Sequence, residues 1–142
     1  ILAIALFSGA QFENKRFAFA IPMGIMLLSD LFLGLHSLMW AVYLSFAIIV
    51  VMGMWSKTQG RTSYGRVAGF TLLGPIVFFI VSNFGVWAQG LMYPMTLNGL
   101  IDCYIAGIPF FRNTMTSTMI YSAGFFGAWE VIKRAVGARA RS

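Results

Sequence analysis

Charge is confined to short clusters separated by long runs that carry almost none. Residues 17–56 hold a single charged side chain, Asp30, and residues 67–101 hold none. The whole chain of 142 residues has ten Lys or Arg and four Asp or Glu, a net charge of +6 with its single His neutral. Charged residues make up 10%, against roughly 25% in an ordinary soluble domain. So few charges cannot cover a soluble globule of this size. With 59% hydrophobic residues the chain is also the opposite of a disordered composition. One Cys and one His exclude a disulfide framework and a multi-ligand metal site. The class left is an all-α integral membrane protein. Clustered basic residues of this kind face phospholipid headgroups rather than nucleic acid, which wants an exposed basic stripe.

An apolar helix needs about 20 residues to cross roughly 30 Å of hydrocarbon. The runs predict spans at 17–35, 38–55, 67–88 and 113–132, with residues 1–12 as the truncated end of a first span. Together they form one helical domain over 1–132, followed by a basic cytoplasmic tail at 133–142. An upstream span would complete a six-helix bundle. Pro22 and Pro75 fall inside spans, where neighbouring helices can satisfy the carbonyls they free. Segment 89–112 is apolar but broken by Gly90, Pro94, Gly99, Gly107 and Pro109. It reads either as a short crossing near 97–111 or as an external, lid-like segment of short helices. Lys15/Arg16, Lys57/Arg61/Arg66 and Lys133/Arg134/Arg139/Arg141 decide between them. If 89–112 does not cross, nine of the ten basic residues share one side and only Arg112 is opposite. The expected topology therefore has that segment outside and the C-terminus in the cytoplasm.

Small residues recur four apart at Ala5/Gly9, Ala20/Gly24, Gly65/Gly69, Ala123/Gly127 and Gly124/Ala128. They suit close helix packing in the bundle, or a docking face for a partner subunit.

Several strings occur together: Leu28-Ser29-Asp30-Leu31-Phe32-Leu33-Gly34, Met39-Trp40-Ala41-Val42-Tyr43-Leu44, Ser82-Asn83-Phe84-Gly85-Val86-Trp87, Tyr93-Pro94, Cys103-Tyr104 and Ile108-Pro109-Phe110-Phe111. They resemble an uncharacterised family of small bacterial inner-membrane proteins. That family in turn is similar to the substrate-binding (S) components of energy-coupling-factor vitamin transporters. The resemblance implies capture of a vitamin or similar micronutrient outside, and docking on a transmembrane coupling subunit with ATPases.

Asp30 is the clearest candidate, because charge in lipid is costly and must be paired or functional. It lies about five residues, roughly 7 Å, before the external end of its helix. It is either a ligand contact or a structural carboxyl group, bonded to Asn83, a Tyr hydroxyl or His36, or kept protonated. Asn83 and Trp87 are four apart on one face, an amide and an indole suited to a flat heteroaromatic ligand. Tyr93, Asp102 and Tyr104 sit in the external segment, where Asp102 and Arg112 form either lid contacts or a salt bridge. These six residues, Asp30, Asn83, Trp87, Tyr93, Asp102 and Tyr104, are the expected ligand site. Cys103 reads as an apolar filler more readily than as a ligand for a soft metal such as a corrinoid cobalt. There is no catalytic motif, cofactor motif or metal set, so no enzyme, cofactor or metal is expected. The expected partners are the lipid bilayer, a small-molecule ligand and the coupling complex. The competing reading is a structural accessory subunit at the edge of a larger membrane complex.

Overall fold

The uncharged runs fold as helices. A computed structural model describes residues 1–34, 37–58 and 61–139. They form α1 (Leu2–Gln11), α2 (Lys15–Leu33), α3 (Met39–Trp55), a two-residue β-hairpin of β1 (Lys57–Thr58) and β2 (Arg61–Thr62), α4 (Tyr64–Ala88) and α5 (Leu97–Arg139). The hairpin is antiparallel, Lys57 opposite Thr62. The architecture is an all-α helical bundle, as expected. Helix boundaries follow capping chemistry: α2 begins early, at Lys15, because the Asn14 side chain accepts from the Arg16 backbone N–H at 2.9 Å.

Helix α1 is apolar on every side and lies at the centre of the bundle, seven of its ten residues buried. It packs on α2, α3, α4 and α5. Its tightest crossing is with α3, at Gly9 and Gly53. A Cβ on Gly53 would collide with the Leu6 carbonyl, and one on Gly9 with the Val50 carbonyl. The Ala5/Gly9 pair therefore serves packing within the bundle. Gly53, its counterpart, carries no repeat that would single it out in the sequence.

Pro22 has no N–H, so the carbonyl of Ala18, four residues earlier, loses its helical donor. The Ser8 hydroxyl, fully buried on α1, donates to that carbonyl at 3.0 Å. The expectation that a neighbouring helix satisfies the freed group is met here.

Lys15/Arg16, Lys57/Arg61/Arg66 and Lys133/Arg134 share one end of the bundle, here the basic end. Lys57 Nζ donates to the Phe12 carbonyl at 2.6 Å, and Thr62 donates to the Ala10 carbonyl at 3.2 Å. Tyr64, at the start of α4, donates to Glu130 near the end of α5. The opposite end holds the C-termini of α2 and α4 and the N-termini of α3 and α5. There Gly85 lies against Ala41, Leu38 and Trp40.

Segment 89–112 differs from expectation. Only residues 89–96 form a non-helical connection, which Gly90 opens at φ +63°. From Leu97 onward a single helix of 43 residues continues to Arg139. It absorbs the residues assigned to a lid, the 113–132 helix and most of the expected tail. The glycines that suggested breaks are packing positions: a Cβ on Gly99 would strike Pro94, and one on Gly107 would strike Asn83 and Phe79. Pro109 is carried because residues on both sides of it, Tyr104 and Phe111, pack on Phe79 of α4. Tertiary packing outweighs the local helix-breaking preference. His36, Arg141 and Ser142 lie outside the described residues, as does the Arg139 side chain.

Candidate functional site

Asp30 is 4% exposed on α2, and the Tyr43 hydroxyl of α3 donates to its Oδ2 at 2.9 Å. The carboxylate has the Tyr partner that the cost of burying a charge demands. It faces α3, not a shared pocket with Asn83.

Asn83 points toward the other half of the bundle. Its Nδ2 donates to the Phe79 carbonyl at 2.8 Å, and its side chain lies against Gly107 of α5. Trp87 is one turn further along, and its Nε1 donates to the carbonyls of Pro94 and Thr96 at 3.1 and 3.2 Å. The indole fastens the 89–96 connection to α4 instead of walling a pocket. The Tyr104 hydroxyl donates to the Ile80 carbonyl at 2.8 Å, and Cys103 is buried with its thiol directed at the Asn83 carbonyl. Tyr104 and Cys103 thus stitch α5 to α4. Tyr93 is half-buried in the connection, and Asp102 is exposed on α5. Asp102 and Arg112 form no ion pair among the described residues, ten positions apart on one helix; the ion pair seen there is Arg134 with Glu130 at 3.6 Å. The six residues expected to converge are therefore distributed over two regions, with Asp30 apart from the rest.

Several cavities open between the helices instead, and two of them adjoin. The larger, about 310 Å³, is lined by Met26, Val42 and Phe46 on one side and by Phe78, Thr114, Ser117, Thr118 and Tyr121 on the other. The smaller, about 190 Å³, is lined by Phe79, Ser82, Asn83 and Gly107. They share Phe78 and Thr114 as wall residues and so adjoin, the smaller between α4 and α5 and the larger reaching α1, α2 and α3, and together they are called the cleft here. Its polar lining is hydroxyls and the Asn83 amide. Ile1, Leu2 and Ala3 border the larger cavity as well, and no carboxylate, guanidinium, imidazole or lysine side chain lines either one. Such a surface can bind and orient a molecule by packing and a few hydrogen bonds, but supplies no acid–base pair. No group of three His, Cys, Asp or Glu stands together among the described residues, so no metal-ligand set is present there.

The family described as "Family of unknown function (DUF6580)" matches residues 1–140. The chain belongs to this family. No curated protein and no solved structure matches it.

For this family member the cleft residues had a readable signal. Thr114, Ser117, Thr118 and Tyr121 fall at i, i+3, i+4 and i+7, one polar face of a helix. Extending that face toward the N-terminus reaches Gly107, Phe110 and Phe111, which also border the smaller cavity. The reading of 113–132 as a plain apolar span passes over this stripe.

Proposed function

We propose that the protein is an integral membrane helical bundle that binds a small, uncharged, partly aromatic molecule in the interhelical cleft. In this reading it is an S-component-like binder for uptake of a vitamin or other micronutrient, without chemistry of its own. The observation that carries it is the pair of adjoining cavities, apolar in body and hydroxyl-lined on the α5 side. Their combined size falls in the range of small-molecule sites, about 300–1,000 Å³.

Membrane embedding is supported by the outward surface. Large apolar side chains face outward on several helices: Phe32 is 90% exposed, Phe110 73% and Ile120 64%. Water would penalise such a surface, whereas lipid would not. Helix Tyr64–Ala88 is long and apolar enough by itself to cross a membrane. The shorter helices α1 and α3 have 10 and 17 residues. The basic end belongs in the cytoplasm in this reading, and the 89–96 connection outside. Helix α5, about 65 Å long at roughly 1.5 Å per residue, would then extend beyond the hydrocarbon layer.

The test is native mass spectrometry of the gently purified full chain, comparing wild type with Thr114→Val and Ser117→Phe. A bound small molecule should be released from Ser117→Phe, whose ring fills the cleft. Thr114→Val keeps the shape and removes one hydroxyl, and should weaken the ligand by about tenfold. Retention of the molecule at full occupancy in both variants would contradict the site.

The accessory-subunit reading has one observation in its favour. A Cβ on Gly65, Gly69, Gly124 or Gly127 would have nothing within 4 Å. These small residues are not used inside the bundle. A protein free of small molecules but co-purifying with a larger membrane complex would support that reading.

A further inference from the structure

A separate cavity, of about 460 Å³, lies at the basic end, formed by α1, the turn after it, the β-hairpin, the start of α4 and α5 near Trp129. Three cations line it: Lys57, Arg61 and Lys133. Two carboxylates line it as well, Glu13 and Glu130. Glu130 is already engaged, accepting from the Tyr64 hydroxyl and lying 3.6 Å from Arg134 Nε. Glu13 is exposed, at the start of the turn before α2. Cationic character therefore prevails within the cavity.

Two further lining residues carry donors with no partner. Gln11 Nε2 and Trp129 Nε1 are both buried, and neither makes a hydrogen bond. Indole N–H is donor only, so water or an acceptor-rich group must satisfy it. Leaving a buried donor unmade costs free energy, so a side-chain turn that brings either donor to an acceptor in the cavity is favoured. Lys133 sits over the Trp129 ring, 5.8 Å from its centroid, which holds the ammonium beside the indole N–H. Lys57 spends one N–H on the Phe12 carbonyl and keeps the others.

Cations and unpartnered neutral donors around one cavity are the complement of an anion with several acceptor oxygens. We propose that this cavity binds a phosphate group, with Lys57, Arg61 and Lys133 supplying charge and Gln11 and Trp129 supplying neutral hydrogen bonds. Phosphate has two sources, an anionic lipid headgroup and free inorganic phosphate. The site lies at the opposite end of the bundle from the 89–96 connection, and none of its residues lines the cleft. Its outcome is therefore separable from that of the small-molecule reading.

The experiment is calorimetric titration of the full chain in dodecyl maltoside with three probes: inorganic phosphate, dihexanoyl phosphatidylglycerol and dihexanoyl phosphatidylcholine. Saturable one-to-one binding of phosphatidylglycerol without inorganic phosphate would assign the headgroup. Saturable binding of inorganic phosphate would assign the free anion. Phosphatidylcholine, whose ammonium opposes the cations, should bind at least about tenfold more weakly than phosphatidylglycerol. Trp129→Phe keeps an aromatic ring beneath Lys133 but removes the indole N–H, and should weaken the bound probe by about tenfold. The exposed pair Arg61→Gln and Lys133→Gln, changed together, should weaken it further while the melting temperature stays at the wild-type value. Absence of saturable binding by either phosphate or phosphatidylglycerol would overturn the proposal. So would equal affinity in wild type and in both kinds of variant.

Discussion

Replacing Gly53 by leucine should destabilise the protein by about 3 kcal/mol or more, the upper range for overpacking a close contact. At the Gly9–Gly53 crossing the backbones of α1 and α3 meet directly, and a Cβ would run into a carbonyl oxygen rather than a movable side-chain tip. The helices must separate to admit any side chain. Separation also strips contacts from α1, which packs on every other helix. Thermal unfolding of the detergent-solubilised protein checks this. Alanine at Gly65 or Gly124, which meets nothing within 4 Å, supplies the contrast. Those variants should melt at or above the wild-type temperature, because Ala favours a helix by up to about 1 kcal/mol over Gly. Equal loss at Gly53 and Gly65 would show that helix propensity, not close approach, governs these glycines.

Tyr43→Phe should cost about 1.5–3 kcal/mol, the range for losing a hydrogen bond to a charged group. The ring stays and only the hydroxyl goes, leaving Asp30 buried without its observed donor. Asp30→Leu combined with Tyr43→Phe should recover part of that loss, since removing both partners spares the unpaired charge. Chemical unfolding of the two single variants and the double variant measures the coupling. Strict additivity would mean that the Tyr43–Asp30 bond contributes nothing to the fold.

Much of the bundle was legible from where charge is absent. The runs ending at Trp55 and Ala88 mark the ends of α3 and α4, since an apolar helix stops where polar groups can be solvated. Asp30 was recognisable as buried and paired, because a lone carboxylate in an apolar run has few alternatives. Segment 97–112 was not legible. Gly99, Gly107 and Pro109 carry the local signature of a broken loop, yet the glycines are there to let α5 approach Pro94 and Asn83. Local propensity and long-range packing give opposite signals at such residues, and only the fold shows which prevails. The expected convergence of Asp30 with Asn83 was not legible for a related reason. Depth along a helix follows from residue counting, but rotation about the bundle does not. Asp30 and Asn83 were assigned similar depth and yet face different neighbours, Tyr43 and Gly107. The cavity at the basic end joins residues far apart in the chain, Gln11 and Trp129, which no spacing relates.

Membrane topology is the central claim, and side-selective cysteine labelling tests it most directly. In a Cys103→Ser background, single cysteines would replace Arg61, Met92 and Lys133, and intact cells would be treated with a membrane-impermeant maleimide. Met92 lies in the 89–96 connection and is 76% exposed, while Arg61 and Lys133 line the basic end. The expected result is labelling at Met92 in intact cells, with Arg61 and Lys133 labelled only after the membrane is opened. Labelling of all three in intact cells, or of Arg61 and Lys133 from opposite sides, would contradict a bundle that crosses the membrane with its basic end in the cytoplasm.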